Sequence, residues 1–175
     1  MNSFDKNLKD ISDWLVECAL IELPIRETLH LFAEKLTNAK IPVQRINCST
    51  FQRHQIMGAV DTTWEIDTEA QETEFIPKSV ITSKNVFETP VGKLAGSGLE
   101  AMRYDLNQQD IRAEFAIFEQ LYSRGFSDYI ILKKSYGRHW RHFGFSLDSE
   151  GVYGAFATKH HGGFGDHQID VIKKI

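Results

Sequence analysis

Apolar residues at Phe4, Leu8, Ile11, Leu15 and Cys18 recur at alternating spacings of four and three, behind a serine at position 3 that can cap a helix. The pattern predicts a first helix over residues 4–19 with a narrow apolar stripe, the kind of seam one helix offers another, and Trp14 widens it. Such a stripe serves either the helix's own domain or a second subunit, and so short a run does not choose between them. Pro24 opens a second helix, where its fixed φ and missing N–H do no harm; Ile25, Leu29, Phe32 and Leu36 give it an apolar face and Asn38 a stop. After Pro42 the texture changes. Residues Val43–Phe51 and Met57–Ile66 mix short apolar and polar side chains as strands do, with Gly58 marking a bend or bulge. The run from Asp67 to Glu74 is acidic and aperiodic and reads as a solvated loop.

Further on, Thr89-Pro90 starts a short helix that ends at Gly96-Ser97-Gly98, and Leu99–Leu106 reads as a strand. Asp110 is positioned to cap a helix with Ile111, Phe115, Phe118 and Tyr122 on one side, flanked by Ile117 and Leu121 and stopped by Gly125. Three closely spaced strands follow, Asp128–Lys134, His139–Leu147 and Val152–Thr158, separated by Gly137 and by the turn Asp148-Ser149-Glu150-Gly151. The final helix, 166–175, has Gly165 as N-cap, Phe164 and Ile169 as a hydrophobic staple, and Gln168 where a capping box wants Glu or Gln. Its pattern is still helical at Ile175, as expected of a chain cut from a longer protein or a helix handing on to another module. Strands joined by hairpins and interleaved with helices predict a single α+β domain over 1–175, with an antiparallel sheet of about six strands flanked by helices.

Composition narrows the function classes. The chain has 175 residues, 42% hydrophobic and 25% charged, which suits one globular domain with a real core. Twenty basic against 24 acidic residues leave a net charge of −4, which argues against a nucleic-acid binder or an anionic-membrane binder. No apolar run approaches the ~20 residues of a membrane span, and the N-terminus lacks the apolar core of a secretory signal. Cys18 and Cys48 stand in unlike contexts and fit free thiols in a reducing cytoplasm.

Candidate chemistry is sparse. Seven histidines are present, and His139 and His142, three apart in a strand, point to opposite faces; no metal-ligand spacing emerges. The glycine-rich stretches Gly96–Gly98 and Gly162–Gly165 lack both P-loop and dinucleotide-fold patterns, and no nucleophile or metal-protease motif occurs, so no catalytic residue is assigned. The positive signal is aromatic: 12 Phe, 5 Tyr and 3 Trp, many at strand positions near Arg45, Arg103, Arg138 and Arg141. They either fill the core or line a pocket with a few polar groups.

Several segments, taken together, carry a family likeness. Ile41-Pro42-Val43-Gln44-Arg45 follows a helix; then come Arg53-His54-Gln55-Ile56-Met57-Gly58 and Trp64, Thr89-Pro90-Val91 with Leu94, the run Leu121–Tyr129, and Ala157–Asp166 with its Gly-Gly-Phe-Gly-Asp block. In this order the chain, from about Trp14 to Ile175, resembles the N-terminal region upstream of the catalytic domain in many bacterial class III adenylate/guanylate cyclases. It departs from the usual pattern at Gly165, where Thr or Ser is common, and at Gln55, where Pro often stands.

The resemblance implies a GAF-like sensory domain whose first and last helices pack together in a homodimer and lead to a downstream cyclase domain absent from this chain. Leu8, Ile11, Leu15, Ile169 and Ile172 would form those helix contacts. It carries over no catalytic residue and names no cofactor. The chemistry of the residues themselves suggests Arg45, His54 and Trp64 near the first strands, with Tyr104, Tyr129 and His142 across the sheet, as contacts for a small ligand. Were that ligand haem, His54 or His142 could serve as axial ligand. The alternative is a purely structural dimerisation module with a filled core.

Overall fold

Side chains along each strand alternate between two unlike sets of neighbours, and this alternation sorts the molecule into layers. A computed structural model describes residues 3–52, 54–68, 72–135 and 151–175. Its strands are β1 (Arg45–Phe51), β2 (Met57–Glu65), β3 (Glu72–Pro77), β4 (Ala101–Asp105), β5 (Asp128–Ser135) and β6 (Gly151–Thr158). Among the described residues they form one open sheet in the order β3-β2-β1-β6-β5-β4, every pair antiparallel. Among the same residues seven α-helices accompany it: α1 (Ser3–Leu20), α2 (Ile25–Asn38), α3 (Lys78–Ile81), α4 (Pro90–Ser97), α5 (Gln109–Arg112), α6 (Ala116–Ser123) and α7 (Asp166–Lys174). The fold is α+β, as the sequence predicts.

On the first face of the sheet, Ile46, Trp64, Ile130, Leu132 and Phe156 meet Leu29, Phe32 and Leu36 of α2 and Ile169, Val171 and Ile172 of α7. On the second, Tyr104, Tyr129, Ile131, Tyr153 and Ala155 meet Leu94 of α4 and Phe118 and Leu121 of α6. Each fully buried Leu, Ile or Phe contributes about 1.5–3 kcal/mol, so two such cores hold the sheet from both sides. The α1 stripe is used within the chain: Ile11 is buried in the first-face core, and Leu8, Trp14 and Leu15 pack against it. Among the described residues no helix is long and apolar enough to cross a membrane.

Local signals explain most boundaries. Thr89 caps α4 by accepting from the Gly92 N–H at 3.1 Å, with Pro90 in the first turn. The Gly165 N–H donates to Gln168 Oε1 at 2.9 Å, while Phe164 and Ile169 are both buried at the start of α7. The register of β2 against β3 shifts between Met57 and Ala59, so Gly58 is a bulge; a Cβ there would lie 2.6 Å from Ile81 Cγ1 and 2.8 Å from the Lys78 Cα.

Three expectations are corrected. The acidic run ends in strand β3 rather than in a loop, because Glu72, Thr73, Glu74 and Phe75 alternate along a sheet edge that has little apolar cover. The helix expected after Asp110 is broken: α5 is capped at Gln108 with Asp110 in its first turn, and Phe115 adopts extended backbone (φ −137°, ψ 136°) before α6. Phe115 is thereby buried beside Tyr104 and Phe118, whereas Tyr122 is 39% exposed under the Arg112 guanidinium. α2 does end at Asn38, as expected, and Lys40 (φ 65°) takes left-handed backbone just beyond it. Ile25, expected on the apolar face of α2, is 45% exposed and stands among the exposed apolar residues with Val16, Leu20 and Ile21. The strand expected at His139–Leu147 and its flanking turns lie outside the described residues; β5 and β6 pair directly, from Asp128↔Thr158 to Ser135↔Gly151.

Candidate functional site

Gln44–Arg45, Arg124–Asp128 and Thr158–Phe164 meet at one end of the sheet, where their polar groups fasten it, while the Arg53–Gly58 segment lies at the opposite end, in the β1–β2 turn. Gln44 Oε1 accepts from Thr158 Oγ1 at 2.9 Å and from the Lys159 N–H at 2.8 Å. Glu65, 4% exposed, receives Arg45 Nη1 at 3.0 Å and Arg124 Nη2. Ser127 Oγ donates to the His160 carbonyl at 2.5 Å. Most closely bound is Asp128, 2% exposed: Arg103 reaches both its oxygens at 2.8–3.2 Å, and the Phe164 N–H donates to Oδ2 at 2.8 Å. The same guanidinium donates to the Phe164 carbonyl at 2.8 Å, and its pKa is raised, first by the hydrogen bonds to Asp128. Gly163 has φ 68°, and a Cβ there would lie 2.5 Å from Asp128 Oδ2, so this turn needs glycine on two counts. The loop before α7 is thus held on β5.

Beside this end opens a cleft of about 560 Å³ lined by Arg103, Asp105, Asn107, Gln108 and His161 among others. Its polar groups largely satisfy one another. Arg103 is engaged by Asp128, and Asp105 accepts from Gln108 Nε2 and from the Asn107 N–H, both at 3.0 Å. Those contacts, the Gln108 side chain first, lower the Asp105 carboxyl.

The second face holds a different arrangement. Arg45, Asn47 and Ser49 of β1 share it with Asp61, Thr63 and Glu65 of β2, so polar groups line these two strands where the neighbouring β6 presents Tyr153, Ala155 and Ala157. Ser49 Oγ donates to Asn47 Oδ1 at 3.0 Å, and Asn47 Nδ2 to Thr63 Oγ1 at 3.1 Å. Asp61 lies directly opposite Ser49 on one side and Glu74 on the other. Its carboxyl is raised above the usual range, chiefly by burial and further by Glu74, while the Ser49 hydroxyl and Arg45 hold it down in part. Tyr129 is 7% exposed, and burial raises its phenol most, with Arg45 opposing and Asp61 adding. Its Oη makes no hydrogen bond to a described residue. Since no fully buried side-chain polar atom among the described residues lacks a partner, Oη is the atom through which Tyr129 meets solvent. Tyr104 beside it, raised by burial to about 12, gives its hydroxyl to Met102 Sδ at 3.1 Å.

Of the ligand contacts expected from sequence, the structure brings Arg45, Tyr104 and Tyr129 onto this second face, in one cross-strand row. Trp64 is on the opposite face, in the α2 core, with Nε1 donating to His30 Nδ1 at 3.2 Å. His54 sits in the exposed β1–β2 connection, where Nδ1 accepts from the Ile56 and Met57 N–H groups at 3.2 and 3.1 Å; it shapes a turn and faces neither core. His142 lies outside the described residues. Sequence reasoning missed Asn47, Ser49, Asp61 and Thr63, although their alternation with Ile46, Cys48, Thr62 and Trp64 was the available signal. Among the described residues no group of three or more His, Cys, Asp or Glu side chains could hold a metal ion. No protein-family model matches the sequence, and no curated protein matches it significantly.

Proposed function

We propose that this chain is a non-catalytic sensory domain of an adenylate cyclase-type signalling protein, GAF-like in architecture. On this reading it binds a small ligand on the second face of its sheet and passes the bound state to a downstream cyclase domain. One observation carries the reading. Asp128 and Tyr129 are consecutive on β5: the first holds the start of α7 on one face, and the second stands in the cross-strand row of Arg45 on the other. A ligand that repositions Tyr129 acts on the strand that fixes α7. It shifts a population only so far as it binds one position of that strand better than another.

The reading places the domain in the cytoplasm as a homodimer, with α1 and α7 as the elements nearest its partner. Native mass spectrometry of the purified chain, compared with its denatured mass, tests it. A dimer carrying a discrete extra mass is expected, and a bare monomer overturns it. A second reading, a structural dimerisation module without ligand, is favoured by the exposed group Val16, Leu20, Ile21 and Ile25. That reading predicts a bare dimer that Leu20→Asp dissociates.

A further inference from the structure

We infer that His30 is a protonation-dependent link between α2 and the sheet: neutral, its ring accepts the Trp64 indole N–H, and charged, it gives up that bond and turns to Glu34. The link sits on the first face, away from the proposed ligand face, and works with or without a ligand.

Among the described residues two side-chain hydrogen bonds join α2 to the sheet. Near the start of the helix, Arg26 Nε donates to Thr73 Oγ1 of β3 at 3.1 Å. One turn on, His30 Nδ1 accepts from Trp64 Nε1 of β2 at 3.2 Å, with the two rings tilted at 54° and their centroids 6.3 Å apart. An indole nitrogen only donates, so the ring nitrogen facing it must offer a lone pair. Neutral His30 therefore carries its proton on Nε2, and that nitrogen stands 3.6 Å from Glu34 Oε1, one further turn along the helix. A histidine is the side chain that takes up a second proton between neutral and mildly acid pH. The Nδ1–H so formed points at another N–H. The two donors repel, Trp64 loses its acceptor, and the charged ring keeps a partner in Glu34.

The two ends of this contact differ in what they can do next. The His30 side chain is half exposed and is solvated in either state, whereas Trp64 is buried in the core that α2 shares with Ile46, Ile130 and Phe156. An indole N–H without an acceptor is costly there, so protonation loosens α2 from β2 rather than moving the imidazole alone. Arg26 keeps its charge throughout and holds the start of the helix on β3. The charged groups around His30 belong to α2 itself: Arg26, Glu27 and Glu34. Strands β2 and β3 turn Thr62, Trp64, Thr73 and Phe75 toward this side, none of them titratable. Helix α1 meets α2 on a different side, where Lys35 lies over the Trp14 ring.

Proton–nitrogen NMR of the full chain between pH 8 and pH 5 tests the link. The chain has three tryptophans, and Trp14→Phe and Trp140→Phe single out the indole signal of Trp64. That signal should move upfield with the same midpoint as the His30 ring signals. Its exchange with water, corrected for free indole, should quicken by roughly five-fold, as the loss of one neutral hydrogen bond requires. At pH 8 the His30 nitrogens should report the Nε2–H tautomer. His30→Asn, whose Oδ1 takes the place of Nδ1 and does not titrate, should hold the Trp64 signal at its pH 8 position down to pH 5, in a spectrum whose dispersion shows the variant folded. A Trp64 signal indifferent to the His30 midpoint, an Nδ1–H tautomer at pH 8, or a response that survives His30→Asn overturns the inference.

Discussion

Replacing Asp128 with alanine should cost the fold about 3 kcal/mol. The carboxylate is 2% exposed and accepts from both Arg103 and the Phe164 N–H, so its removal breaks a buried ion pair, a change that typically costs ~3–5 kcal/mol. Arg103 softens the loss, because its side chain is 39% exposed and can recover water. The Phe164 N–H cannot do so, since Phe164 is buried, and an orphaned donor there adds about 1–2 kcal/mol. For a chain of this size the sum corresponds to a fall in Tm of roughly 6–12 °C. Asp128→Asn keeps the shape and one acceptor but loses the charge, and should cost about 1–2 kcal/mol. Equilibrium urea unfolding at pH 7 measures both values, and amide exchange at Phe164 shows whether the contact itself has opened. A loss below about 1 kcal/mol for Asp128→Ala, or a Phe164 amide still protected in that variant, would refute the assignment of Asp128 as the fastening of α7.

Three further results are expected. Gly163→Ala should destabilise by about 2–3 kcal/mol, through its left-handed backbone and the clash with Asp128, whereas Gly162→Ala, whose nearest neighbour would be 3.8 Å away, should stay within about 0.5 kcal/mol in the same urea titration. The Cys48 thiol is raised to about 11 by burial, so the folded chain keeps it neutral where the unfolded chain ionises it; stability should be full below pH 9 and fall by on the order of 2 kcal/mol as pH rises to 11, a slope that Cys48→Ala flattens. Burial raises Asp61 in the same sense, so its charge opposes folding above the ordinary carboxylate range. Asp61→Asn should therefore raise Tm at pH 7, with the gain fading as pH falls toward the ordinary carboxylate range and gone by about pH 4, where both folded and unfolded wild-type groups are protonated.

The layers of this fold were legible wherever one face of an element is buried. Leu29, Phe32 and Leu36 named the α2 face, and Phe164, Ile169 and Gln168 the start of α7, because burial and capping leave a local imprint. Strand β3 left none: it is an edge, and charged residues such as Glu72 and Glu74 blunt an edge while looking like a loop. The break before Phe115 was hidden for the opposite reason. Tyr104 and Phe118 draw that side chain into the core, a tertiary demand that a helical spacing cannot express. The candidate site was half visible: Arg45, Tyr104 and Tyr129 could be picked as polar or aromatic strand residues, but which of them share a face depends on cross-strand register. Trp64, one residue before Glu65, went to the other side of the sheet for that reason.

The attachment of α7 has a mechanical meaning. A nine-residue helix is about 13 Å long, and this one is pinned at its first turn by groups on β5 while its apolar side rests on the sheet through Ile169, Val171 and Ile172. Its far end is held more lightly, by Lys134 Nζ donating to the Lys173 carbonyl at the surface, so tilting costs less than sliding along the axis. A tilt of roughly 10° about the pinned turn would carry the far end by about 2 Å. The loop at Gly163-Phe164 is then a fulcrum and α7 its lever arm, so a sub-ångström shift of β5 would leave the domain enlarged at the end of α7.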